Sequence, residues 1–227
     1  MASDTELGAL AADIAREAGA LARRRRAEGV HLAATKSTVA DIVTDADREV
    51  EQLIRDRVCA ERPDDGFLGE ESDAAGGTSG YTWVVDPIDG TVNYASGIPT
   101  YAVSVAVVQG EPQPEQWEAV TGAVYAPVLD ELFTAVRGEG AWHRGQRLAV
   151  TQETPAGALL GTGFGYDPAT HDGDLATVRR VMTIARDLRR MGSAAIDLSY
   201  VAAGRLDGFF ERGLNAWDFA AGRVLVE

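Results

Sequence analysis

The 227-residue sequence predicts a layered α/β protein, and three observations carry that prediction. Apolar residues recur every three or four positions over residues 4–28 and again after Thr44, the period of helices lying on a core. From Tyr81 the pattern changes to short runs rich in β-branched and aromatic residues, separated by turn signals such as GEPQPEQ. Helix-like and strand-like stretches then alternate to the end.

In the first helix Leu7, Leu10, Ile14, Ala18 and Leu21 form the apolar stripe, and Gly29 is the stop. In the second the stripe is Val50, Leu53, Ile54 and Val58, and Pro63 ends it. DAAGGTSG, 73–80, has the composition of a flexible loop. YTWVVD, TYAVSVAVV, EAVTGAVYA and ELFTAVRG read as a largely antiparallel sheet, which RLAVT and ALLGTGF are expected to continue. Residues 173–188 read as helix, SAAIDLSYVAAG as a short helix, DGFFE as a strand, and WDFAAGRVLV as the start of a last helix. No internal repeat or linker interrupts the chain, so a single domain over 1–227 is expected, with an N-terminal half to 150 and a C-terminal half from 151.

Composition excludes several function classes. A formal net charge of −14 argues against nucleic acid or an anionic membrane as partner. The one basic run, Arg23 to Arg26, falls at a helix end, where cations offset the dipole. No apolar run is long enough for a membrane span. The N-terminus has acids first and arginines last, the reverse of a secretory leader, so none is expected. Cys59 is the only cysteine, which excludes an intrachain disulfide and a cysteine-rich zinc site and fits a reduced, cytoplasmic protein. His31, His143 and His171 lie in no ligand-like spacing.

Carboxylates recur at element ends: Asp41, Asp45 and Asp47; Glu70 and Glu71 in GEES; Asp86 and Asp89 in WVVDPIDGTVNY; Asp218 in WDFAAG. Two like charges about 4 Å apart repel by about 4 kcal/mol at an effective dielectric of about 20. A convergent cluster therefore needs a cation, and an all-oxygen set favours Mg²⁺ first, then Mn²⁺ or Ca²⁺. Pro87 is expected to end the strand, letting Asp86 and Asp89 face one point, and Gly90 admits close backbone approach. A helix starting at Asp89 or Gly90 would aim N–H groups at the same place, which suits a phosphate. Taken locally, the stretch also reads as an Asp-Pro turn followed by an aspartate helix cap. An EF-hand is excluded, because its twelfth position, counted from Asp86, is Gly97. GTGFG at 161–165 lacks dinucleotide-loop spacing and reads as a strand with a close backbone approach.

These motifs, with MGSAAIDLSYVAAGRLDGFFE between the last two, resemble in order the signatures of the inositol monophosphatase family, from about residue 5 to the end. The resemblance implies a five-layer αβαβα sandwich, usually a homodimer, and a Mg²⁺-dependent, lithium-sensitive phosphomonoesterase of the inositol-1-monophosphatase type. It implies one metal on Glu70, Asp86 and the Ile88 carbonyl, a second on Asp86, Asp89 and Asp218, and a weaker third reached by Glu70. Thr91, bonded to Asp47, would orient the attacking water with Glu70. Gly90 and Thr91 would hold the phosphate. Gly192, Ser193, Ala194, Glu211 and Asp89 would meet the alcohol, and Lys36, the only lysine, would sit on a mobile loop near the metals. Members of the family typically continue through a further strand and helix beyond GRVLVE, while all the metal ligands that the resemblance implies lie within the 227 residues. Inositol monophosphate is the first expected substrate, with histidinol phosphate next. A catalytically weak protein-binding member is the alternative of a different class.

Overall fold

The computed structural model describes residues 2–30, 32–35, 42–110 and 116–227. His31, Lys36 and Asp41 lie outside the described residues, and with them the lysine expected beside the metals. The chain opens with helix α1 (Asp4–Glu28), capped by Ser3 and Glu6 in a reciprocal box. Strands β1 (Leu32–Thr35) and β2 (Ile42–Thr44) pair antiparallel and lead into α2 (Asp45–Glu61).

A seven-stranded sheet follows, in the order β3 (Gly66–Gly69), β4 (Tyr81–Asp89), β5 (Ala102–Gly110), β6 (Trp117–Ala126), β7 (Glu131–Val136), β8 (Gly140–His143) and β9 (Gln146–Arg147). Only the β3–β4 pair is parallel. Helix α3 (Thr91–Ser96) links β4 to β5. The central strands are buried on both faces, so alternation sorts their side chains into two cores. Trp83, Val85, Val103, Val105 and Val107 pack under Leu7, Ile14, Val50 and Ile54 of α1 and α2. Val84, Ala106, Val108, Val124 and Phe133 pack under Ile196, Ala220, Ala221 and Leu225 of α5 (Ala194–Ala202) and α6 (Ala216–Val226).

A second sheet, all parallel, has the order β11 (Ala185–Arg189), β10 (Ala158–Thr162), β12 (Gly208–Phe210). Its Gly161 lies against Asp197 and Leu206, so α5 sits between the two sheets. Helix α4 (His171–Val181) covers the other side, where Thr177 meets Arg212. The layer order is αβαβα.

Four expectations need correction. ALLGT does not extend the antiparallel sheet: it is the centre of the parallel one, a pairing set by segments far along the chain. RLAVT contributes only Arg147, after which the chain leaves the sheet. The helix over 173–188 stops at Val181, and Ala185–Arg189 becomes an edge strand because β10 supplies its ladder. Strand β4 also runs on past Pro87 to Asp89, through a register shift between Asp86 and Asp89. Proline fits there because an irregular ladder position demands no donor.

Candidate metal centre

The β4 irregularity makes the corner that the sequence points to. Ile88 N–H turns away from the ladder and donates to Asp86 Oδ1 at 3.0 Å. Gly90 then takes φ +97°, and a Cβ there would stand 2.9 Å from the Gly192 carbonyl oxygen, so both conformation and space require glycine. The chain enters α3 at once, and the N–H groups of a first helical turn have no partner inside the helix.

Three acids are braced by the first turns of longer helices, where a carboxylate is favoured. Asp89 accepts from Ser193 Oγ at 2.5 Å and Ala195 N–H at 2.7 Å, so it caps a helix more than a hundred residues away rather than its own. Asp218 is the third residue of α6 and accepts Asn215 N–H at 2.6 Å. Asp47, third in α2, accepts Thr44 N–H at 2.8 Å and lies 3.1 Å from Thr91 Oγ1. That hydroxyl is also 3.1 Å from the Ile88 carbonyl oxygen; having one proton, it donates to one of the two at a time.

Asp86, Asp89 and Asp218 each offer a carboxylate oxygen, all within 4.8 Å of one another. Burial, reinforced by the charges of Glu70, Asp89 and Asp218, lifts Asp86 well above the usual carboxylate range. Burial raises Asp89 to about 6 against the pull of its bonds to Ser193 and Ala195, and burial with the Asp89 charge raises Asp218 to about 8. Asp47, Glu211 and Asp197 are raised to about 6, 7 and 8, burial being the largest cause each time. Groups so placed either keep protons or share cations. Three oxygens in mutual reach, with the Ile88 carbonyl and Glu70 on the same cleft, form a hard-donor set that fits a divalent ion of the Mg²⁺ class.

The cleft, about 240 Å³, is lined by Glu70, Asp86, Ile88, Asp89, Gly90, Thr91, Gly192, Ser193, Ala194, Glu211 and Asp218. The described residues thus bring every expected ligand and contact together, and Asp47 stands one hydrogen bond behind Thr91. Sequence reading missed Asp197, Arg190, Tyr166 and Trp217 on the same wall. Asp197 gave a signal that could have been used, an acid in the apolar stretch SAAIDLSY. Of GTGFG only Gly161 and Thr162 are strand; beyond them the carboxylate of Glu211 occupies the space where a Gly163 Cβ would stand, which is the close approach. His143 stacks on Phe133 and His171 contacts the Gly165 carbonyl, and neither is among the residues that line the cleft.

A sequence model of the Inositol monophosphatase family matches residues 3–227. The chain belongs to the inositol monophosphatase family. Among curated relatives it is 46% identical to an "Inositol-1-monophosphatase" of Rhizobium meliloti, over 82% of this chain and 69% of that protein. It is 39% identical to the "Nus factor SuhB" of Escherichia coli, over 96% of this chain and 80% of that one. Among solved structures, the suhB protein of Bartonella henselae superposes with a TM-score of 0.89 at 37% identity, covering 97% of this chain and 84% of that chain. The inositol monophosphatase of Anabaena gives 0.84 at 32%, covering 98% and 81%. The family is one of metal-dependent phosphatases, and no helix among the described residues is long and apolar enough to cross a membrane.

Proposed function

We propose that this chain, acting as one phosphatase domain over 1–227, hydrolyses a small polyol phosphate, inositol monophosphate first, with Mg²⁺ as cofactor. One observation carries the reading. Among the described residues, six acidic side chains, Glu70, Asp86, Asp89, Asp197, Glu211 and Asp218, line the cleft against one basic residue, Arg190. A phosphate dianion is repelled by such walls unless cations stand between. Glu70, Asp86 and the Ile88 carbonyl would hold one Mg²⁺, and Asp86, Asp89 and Asp218 a second, which would supply that charge neutralisation and Lewis acidity; Mn²⁺ would substitute, Li⁺ would inhibit, and Glu70 would reach a weaker third ion.

The chain's own groups do the rest. Gly90 and Thr91 N–H groups hold phosphate oxygens. Thr91, its hydroxyl hydrogen donated to Asp47 in a hydrogen bond, accepts a hydrogen bond from the attacking water, which Glu70 orients from the other side. The water oxygen adds to phosphorus as the phosphorus–alcohol bond breaks; one water proton ends on the departing alcohol oxygen and the other stays on the phosphate, giving hydrogen phosphate and the free alcohol. Uncatalysed monoester hydrolysis is slow enough that enhancements approach about 10²¹-fold, whereas a general base supplies about 10²–10⁴. Charge stabilisation must therefore carry most of the effect. Gly192, Ser193, Ala194, Glu211 and Asp89 face the alcohol.

A panel of small phosphates in Mg²⁺, read by phosphate release, tests this. The expected result is a preference for inositol monophosphate, abolished in Asp89→Asn with the fold intact. A large preference for histidinol phosphate would replace the substrate but keep the chemistry. The relatives called "Nus factor SuhB" support a second reading, a protein-binding member with weak catalysis. Absence of Mg²⁺-stimulated turnover on every small phosphate would favour it. The family resemblance further supports a cytoplasmic homodimer, for which gel filtration with light scattering is the check.

A further inference from the structure

We propose that Glu51 is a positioning residue for Glu70, clamping the chain on both sides of that ligand. Glu51 lies on α2 one turn after Asp47, so both carboxylates share the buried face of that helix. Glu51 is 2% exposed, and its carboxylate meets the segment that follows β3. There Glu71 N–H donates to Glu51 Oε2 at 2.8 Å, and the Ser72 hydroxyl donates to Oε1. On the other side of Glu70, Gly69 leaves room for the same carboxylate: a Cβ at that position would stand 2.5 Å from Glu51 Cδ. Arg55, one turn further along α2, holds Ser72 Oγ at 2.6 Å.

Three residues flanking Glu70, Gly69 before it and Glu71 and Ser72 after it, thus register against one buried side chain. A carboxylate serves this purpose because it accepts an N–H and an O–H on separate oxygens at once. Helix α2 then braces both ends of the proposed site, through Asp47 to Thr91 and through Glu51 to Glu70. The inference rests on the reading that Glu70 holds a divalent ion.

Calorimetric titration with Mn²⁺ alone, on protein shown folded by circular dichroism, separates the two. Glu51→Ala is expected to weaken the Glu70-dependent site by roughly tenfold or more, the usual scale for an outer support of a ligand. Glu51→Gln, which can accept from Glu71 and donate to Ser72, loses less. The decisive readout is the double variant Glu51→Ala/Glu70→Gln, which should bind no more weakly than Glu70→Gln alone. Losses that multiply would show Glu51 acting apart from Glu70 and overturn the proposal. Wild-type binding by Glu51→Ala, with Glu70→Gln weakened, overturns it while leaving the metal reading intact. Wild-type binding by Glu70→Gln overturns both. Should Glu51→Ala not fold, Gly69→Ala, which displaces the same carboxylate, is tested in the same two backgrounds against the same outcomes.

Discussion

Binding of a divalent cation to this cleft must expel protons, and the number follows from the geometry. In the metal-free protein Asp218 is raised to about 8 and Asp89 to about 6, while Asp86 is lifted well above its ordinary 3.8. At pH 7 a group at about 8 is about nine-tenths protonated and one at about 6 about one-tenth. Ligation requires ionised carboxylates, so about one proton leaves on account of Asp218, a tenth on account of Asp89, and up to one more from Asp86. The three oxygens lie within 4.8 Å, so the count of about one to two belongs to the cluster. Mg²⁺ titration calorimetry at pH 7 in buffers of different ionisation enthalpy measures it as the slope of apparent enthalpy against buffer enthalpy. The slope should correspond to release of about one to two protons, should fall as pH is raised past 8, and should drop by about one in Asp218→Asn. A slope of zero at pH 7, with binding observed, would refute the physical picture of the cluster.

The same shifts set the stability of the metal-free protein. Folded values of about 6 for Asp89 and about 8 for Asp218 exceed the unfolded 3.8, so between pH 4 and 8 the folded state binds more protons. Unfolding free energy should therefore fall as pH rises through that window in EDTA, and Mg²⁺ should raise Tm more at pH 8 than at pH 5; thermal scans check both. Gly90→Ala forces a side chain into φ +97° and onto the Gly192 carbonyl, and should cost about 1–3 kcal/mol in denaturant unfolding. Thr91→Ala should lower kcat by about 10²–10⁴ with little change in Tm, while Thr91→Ser retains most activity; steady-state kinetics decide.

What was legible in the sequence was mostly local. The stripe of α1 is buried as read, with Leu7, Ile14, Ala18 and Leu21 under 6% exposed and Leu10 packing at its edge. The carboxylate motifs could be read because each follows a strand or opens a helix, where short-range rules for caps and turns apply. Which sheet ALLGT joins could not be read, because only pairing with 185–189 and 208–210 decides it. For the same reason ARDLR looked helical. Pro87 was expected to end β4, but a β-bulge accommodates it, a feature that depends on the partner strand β5. Glu51 escaped notice because a glutamate in a helix reads as a solvated face. Its burial appears only once β3 and the GEES turn are folded against it.

The most direct test is a crystal structure of the protein soaked with Mn²⁺ and phosphate, with anomalous scattering to locate the ions. The expected result is two Mn²⁺ about 3.5–4 Å apart with Asp86 between them, and phosphate on the Gly90–Thr91 backbone. Saturating Mn²⁺ that leaves no ion among Asp86, Asp89 and Asp218 would contradict the claim that these carboxylates meet in order to hold cations.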